Sequence, residues 1–322
     1  MKGLTDIPGI RVGHVSDYEA LTGCTAILFE AGAVGGIDVR GAATGTEDID
    51  VLRPSHIADR VHAVVLAGGS AFGLEAASGV RRFLEHHGVG FRFGGAVVPI
   101  VTSAILFDLG LGKSHVRPTR EMGEAAAAAA TVDAVHEGAV GAGTGATVGK
   151  IFGMKQAMKS GIGSTTVNLD DRVRVAALVA VNALGDVRDP QTGKLIAGAR
   201  RAPASDELAN TELEMKRSAR TGRMGENTTL AVVATNARLS KVGANRLAQL
   251  ASLGMARTIF PVNTNGDGDL CFALSVGEER ADVDVLGVAA AEALAQAIVR
   301  AVKLAPTLGG VPGLAGPLKT NG

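Results

Sequence analysis

The 322-residue sequence predicts an α/β fold in which sheets are covered by helices. Short apolar runs of strand length recur along the chain, several of them bounded by Gly or Pro. Segments with helical spacing lie between these runs. An apolar content of 46% supports a sizeable core, and the 44 glycines cluster between apolar runs without a collagen period. Such clusters suit tight turns and close backbone approaches.

Strands are expected over 25–29, 63–67, 97–101, 173–181, 230–234 and 271–276. The first expected helix, 73–87, places Leu74, Ala77, Val80, Phe83 and Leu84 at helical spacing and stops before Gly88. An Ala-rich helix is expected over 119–137, and further helices over 241–255 and 285–302. With no clear repeat and no long linker, one domain spanning 1–322 is expected.

Composition excludes several functions. Lys plus Arg and Asp plus Glu both total 32, so nothing favours nucleic acid or an anionic membrane as partner. Aromatic residues make up 3%, with no Trp and one Tyr, which removes the usual stacking platforms for single-stranded nucleic acid. Cys24 and Cys271 are far apart, and no Cys/His spacing resembles a zinc site. Cys271 sits in the apolar run 270–274 and reads as a core thiol. The first six residues contain no apolar signal region and no run of eighteen apolar residues occurs, so a reducing cytoplasm is the expected location.

The glycine-rich stretch 141–150 invites a phosphate-loop reading that fails in detail. The first glycine of that pattern falls on Thr144, and Ile151 follows Lys150 where Ser or Thr belongs. A close-packed turn remains, with Lys150 as a cation at its end. Asp267-Gly268-Asp269 lacks the other ligands of a calcium loop. It is either a solvated turn or a pair of carboxylates orienting a hydroxyl or amine. Asn182, at the end of the strand expected over 173–181, either closes a turn or donates its amide to an oxyanion. The seven His residues are scattered and define no Ser/His/Asp set.

The most informative stretch is Asn227-Thr228-Thr229. Residues 200–227 carry eleven charged side chains in twenty-eight positions and favour solvent, whereas the run after Thr229 reads as a buried strand. A cut at 227–228 would make Thr228 an N-terminal residue anchored at the start of a core strand. Its hydroxyl could then attack a carbonyl with its own α-amine as base, a group whose ordinary pKa is roughly 7.7–8.0. The same hydroxyl could first attack the Asn227 carbonyl. The bland alternative is a loop ending in Asn and a strand beginning with Thr.

Several motifs in order carry a resemblance over nearly the whole chain: 10–14 (IRVGH), 38–46 (DVRGAATGT), 66–74 (LAGGSAFGL), 98–100 (VPI), 105–109 (ILFDL), the loop 141–150, Asn227-Thr228-Thr229, and Asp267-Gly268-Asp269 before 272–274 (FAL). Together they resemble the P1 family of N-terminal-nucleophile peptidases, the group of L-aminopeptidase/D-esterase, β-peptidyl aminopeptidases and nylon-oligomer hydrolase. The resemblance implies a four-layer αββα sandwich, self-cleaved into an α fragment, 1–227, and a β fragment, 228–322. It also implies a homotetramer of processed protomers acting on small peptides, amino-acid amides or esters, with no metal or organic cofactor.

By the same resemblance Thr228 is the nucleophile, Lys150 a catalytic-site lysine, Asn182 an oxyanion donor, and Asp267 and Asp269 the pair that positions the nucleophile and its amine. Phe107 stands near the substrate where several members carry Tyr, so a contact made there by a phenolic hydroxyl is absent. Some members use Ser as nucleophile; Thr restricts χ1. Two other readings accompany this one. Acyl transfer of the ornithine acetyltransferase type would keep the nucleophile and change the acceptor, and a non-catalytic small-molecule binder would keep only the fold.

Overall fold

The computed structural model describes residues 1–217 and 227–318. Part of the charged segment, 218–226, lies outside the described residues. Nine strands form the body of the described molecule: β1 (Arg11–Asp17), β2 (Thr22–Val39), β3 (Gly45–Glu47), β4 (Val61–Ala67), β5 (Val101–Ile105), β6 (Ile162–Asn168), β7 (Arg174–Asn182), β8 (Thr228–Ala237) and β9 (Leu270–Glu279). The helices that cover them are α1 (Glu75–His86), α2 (Arg120–Ala128), α4 (Lys241–Ala251), α5 (Leu253–Thr258) and α6 (Val283–Lys303); α3 (Thr211–Arg217) is a short peripheral helix.

Strand β2 belongs to two sheets. Its first half pairs with β1 and β4, and its second half, from Val34 to Val39, pairs antiparallel with β9. One sheet therefore runs β6-β7-β8-β9-β2 and the other β2-β4-β5-β3, with β1 on β2. Among the described ladders of these sheets, β8/β9 and β4/β5 are the parallel ones.

Side-chain alternation assigns each strand face to one of three apolar layers. Leu230, Val232 and Ala234, with Leu270, Phe272 and Leu274, face Ile27, Phe29, Val64, Leu66 and Ala104 between the sheets. The opposite faces, Val175 to Val181 in alternation with Ala231, Val233, Cys271 and Ala273, meet α4, α5 and α6. Cys24, Ala26, Leu28, Ala63 and Val65 meet α1 and α2. Because both faces of these strands are buried, their sequences are continuous apolar runs rather than alternating ones. The result is the four-layer αββα sandwich. Burial pushes the Cys24 thiol up to about 12 and raises that of Cys271, so both are inert core thiols.

Helix α6 is long and apolar enough to cross a membrane by length and composition, but it is largely buried inside the protein. Its N-terminus is capped by Asp282, whose Oδ1 accepts from Asp284 N at 2.8 Å.

Several expected elements differ in extent. The helix expected over 119–137 stops at Ala128, because Thr131 beyond it pairs with Val12 at the edge of β1. The strand expected over 97–101 is divided: Ala96–Val98 forms a small ribbon with Phe91–Phe93, and Val101 begins β5 after Pro99, which cannot donate to a ladder. The helix expected over 241–255 breaks at Ser252. Strand β6, rich in Gly, Ser and Thr, is one that the apolar pattern does not predict.

His14, on β1, offers a stability test. Its Nδ1 lies 2.9 Å from Thr25 Oγ1, a hydroxyl that also accepts from Ala142 N at 3.1 Å. Burial, helped by His136, depresses its pKa to about 4. The native state thus holds the neutral imidazole. The stability this contributes is present above about pH 6.5, the unfolded value, and is lost as pH falls towards about 4, as much as about 3 kcal/mol in all. Urea midpoints of the wild type and His14→Gln at pH 7.5 and 4.5 should show a smaller acid loss in the variant; equal losses would remove His14 as a cause.

Candidate active site

The ends of β7, β8 and β9 meet the segment after β5 at one edge of the sandwich. The antiparallel register of β7 and β8 sets Asn182 opposite Thr228. Thr228 is the first residue of β8 and is buried, with 3% of its surface exposed. Its Oγ1 donates to the carbonyl oxygen of Asn227 at 2.5 Å. Gly268 N donates to the same oxygen at 2.8 Å. That carbonyl is therefore polarised by two donors, one of them the hydroxyl of the next residue.

Asn227 is tied to the turn before β9. It forms a parallel bridge with Asp267, and Asn227 N reaches Gly266 O at 3.5 Å. Gly268 has no room for a side chain: a Cβ there would stand 2.7 Å from Thr228 Oγ1 and 2.8 Å from Ala43 O. Glycine is thus what lets this turn close onto Thr228.

The two carboxylates on either side of Gly268 are both buried. Asp269 accepts from Thr229 N at 2.5 Å and from Asn263 N at 2.9 Å. Asp267 accepts from Thr264 N at 2.7 Å, and its Oδ1 has no hydrogen-bond partner among the described residues. Burial raises both pKa values. The Asp267 charge raises Asp269 further, whereas hydrogen bonds from Thr264 and the Lys150 ammonium hold Asp267 down. With backbone donors on both, the pair braces the turn and the start of β8. Among the described residues no three His, Cys, Asp or Glu side chains converge as a metal set.

Asn182 is held at both ends of its amide. Oδ1 accepts from Lys150 Nζ at 2.7 Å and from Thr147 N at 3.1 Å, and Nδ2 donates to Phe107 O at 2.8 Å. These partners fix which end is oxygen, since the reverse orientation would set NH2 against an ammonium and oxygen against a carbonyl. Lys150 Nζ also donates to Asn182 O at 3.1 Å. The glycine-rich stretch is a close-packed turn, with Gly141, Ala142 and Gly143 buried, and it delivers Thr147 and Lys150 to Asn182.

The structure thus gathers all seven residues expected at a site: Asn227, Thr228, Asp267 and Asp269 around the 227–228 bond, and Asn182, Lys150 and Phe107 beside it. Phe107 participates through its carbonyl, which no substitution of its ring would reveal. Sequence reading misses Gly268, whose backbone N–H carries no residue-type signal. It also misses Thr147 and the fully buried Lys159, which lie in short segments without periodicity.

Two stacked sheets between helical layers, with the site at their edge, place the protein in the N-terminal-nucleophile hydrolase fold. Solved structures share it. The L-aminopeptidase D-Ala-esterase/amidase of Ochrobactrum anthropi, described as a variant of that fold, superposes with a TM-score of 0.73 at 19% identity, covering 97% of this chain and 88% of that one. A β-aminopeptidase of Burkholderia sp. gives 0.68 at 24% identity, covering 97% and 90%.

Sequence comparison is more specific. The chain matches the model of peptidase family S58 over residues 2–315 and belongs to that family. An uncharacterized aminopeptidase of Mycobacterium leprae (strain TN) is 40% identical, covering 97% of this chain and 93% of that protein. A 6-aminohexanoate-oligomer endohydrolase of Kocuria sp. (strain KY2) is 32% identical over 92% of this chain and 85% of its own length. The protein is a hydrolase of peptide or amide bonds.

Proposed function

We propose that this hydrolase cuts its own chain between Asn227 and Thr228 and then acts, through the freed Thr228, as an aminopeptidase or amidohydrolase on small peptides, amino-acid amides or esters. The observation that carries this reading is the buried Asn227–Thr228 junction, whose carbonyl oxygen accepts from both Thr228 Oγ1 and Gly268 N. In the first step Oγ1 bonds to the Asn227 carbonyl carbon while the C–N bond breaks. The hydroxyl proton passes to the departing nitrogen, and the Gly268 N–H stabilises the oxyanion between. Water then hydrolyses the ester, leaving an Asn227 carboxylate and a Thr228 with hydroxyl and free amine.

In turnover the amine takes the Thr228 proton as Oγ1 attacks the substrate carbonyl and hands it to the amine or alcohol that leaves as the scissile bond breaks. Water then hydrolyses the Thr228 ester, releasing the acid and restoring hydroxyl and amine. Asn182, across the β7/β8 ladder, uses one Nδ2 hydrogen on Phe107 O and keeps the second for the oxyanion. Lys150 on its Oδ1 strengthens that donor by polarising the amide. Asn182→Ala is expected to lower kcat about 10²- to 10³-fold, the loss typical of one oxyanion donor, with a much smaller change in KM.

Intact mass of the purified protein under denaturing conditions tests the first step. Two species beginning at Met1 and Thr228, with masses summing to the chain plus one water, are expected. One persistent species of 32.6 kDa would defeat the proposal.

A further inference from the structure

Lys159 is a lysine with none of its surface exposed, and neither the hydrolytic chemistry nor the proposed cut uses it. Its Nζ donates to three backbone carbonyls: Ala146 O at 2.7 Å, Ser160 O at 3.0 Å and Gly143 O at 3.4 Å. An ammonium has three donors, and here all three are spent on the glycine-rich turn and its partner strand. The backbone around it is equally closed. Lys159 pairs with Thr147 in a two-residue ribbon, Lys159 N donates to Pro312 O at 2.8 Å, and Ser160 N donates to Ala146 O at 3.0 Å.

The turn it clamps leads directly to Asn182. Immediately after Ala146, the backbone N–H of Thr147 meets Asn182 Oδ1, and Lys150 follows on the same oxygen. The other end of the Asn182 amide is held by Phe107 O. The next residue, Asp108, is buried with its carboxylate on Thr22 Oγ1 at 2.7 Å and Gly69 N at 2.7 Å. Asp108 and Lys159 interact electrostatically within this buried region. Burial pulls the Lys159 pKa down to about 7, Asp108 favours its charged form, and Lys150 disfavours it.

We propose that Lys159 is a positioning residue of the hydrolytic site: by drawing the carbonyls of Gly143, Ala146 and Ser160 onto one ammonium, it fixes the turn that sets Thr147 and Lys150 on Asn182. This rests on Asn182 acting as oxyanion donor. Lys159→Met nearly keeps the length of the side chain and takes the ammonium from all three carbonyls, of which Ala146 O keeps Ser160 N and Gly143 O keeps Ala146 N. Lys159→Gln retains two N–H donors without the charge.

The test is steady-state hydrolysis of an amino-acid p-nitroanilide by the wild type, both Lys159 variants and Asn182→Ala, with intact mass recorded for each. Lys159→Met should lower kcat about 10- to 100-fold with KM within about threefold, as for a small misplacement of a reacting group, and Lys159→Gln should recover part of the loss. If Lys159→Met does not fold, a Lys159→Gln protein with wild-type kcat overturns the proposal. So does a folded Lys159→Met whose kcat is unchanged, or whose deficit lies in KM. An Asn182→Ala enzyme of wild-type kcat overturns both the Asn182 role and this inference. A slow Asn182→Ala beside a normal Lys159→Met overturns the inference alone.

Discussion

Thr228→Ala is expected to yield a single uncut chain of 32.6 kDa with no turnover. Alanine removes the hydroxyl that donates to the Asn227 carbonyl, so the bond loses its internal nucleophile and the α-amine is never released. Loss of a nucleophile elsewhere costs on the order of 10⁶ in kcat, and here the missing base adds to it. Thr228→Ser separates the causes, because it keeps the hydroxyl and removes the χ1 restriction of a β-branched residue. It should remain cut and active. A Thr228→Ala protein that is cut at 227–228, or that hydrolyses amides, would sink the assignment of the nucleophile.

Gly268→Ala should slow self-cleavage at least about tenfold without unfolding the protein, an expectation based on the cost of a small misplacement at a reacting centre. The added Cβ would lie 2.7 Å from Thr228 Oγ1 and 2.8 Å from Ala43 O. One neighbour is backbone and cannot yield cheaply, so the hydroxyl or the turn must move. Either shift disturbs the pair of donors on the Asn227 carbonyl. Gly243→Ala is the control: in α4 the nearest atom to a new Cβ is 3.4 Å away, and alanine favours a helix over glycine by about 1 kcal/mol. Half-lives of the uncut band during expression and incubation compare the three proteins. A Gly268→Ala chain that matures at the wild-type rate would show that the turn tolerates displacement.

Much of the frame is legible in the residues. Strands β7, β8 and β9 are continuous apolar runs because each is buried on both faces. Strand β6 is hidden because Gly163, Ser164, Thr165 and Thr166 after Ile162 break the apolar continuity. Gly163 is there because α6 crosses at backbone contact, and a Cβ would lie 2.0 Å from Ala297 O. Alanine propensity extends the pattern of α2 past Ala128, but a tertiary bridge from Thr131 to Val12 takes the backbone instead. At the site, side chains with distinctive chemistry are visible in the sequence. Groups acting through the backbone, Gly268 N and Phe107 O, are not, since nearly every residue carries them.

The strand order has a consequence for the chain as a polymer. Strands β8 and β9 lie between β7 and β2, so a cut at 227–228 leaves the two later strands of that sheet zipped on both sides to strands of the earlier piece. The pieces of the native protein would stay together without a covalent link. Once denatured, however, they would no longer find each other at the effective concentration a single chain provides. Recovery of the cut protein should then depend on its concentration, whereas recovery of the uncut Thr228→Ala chain should not.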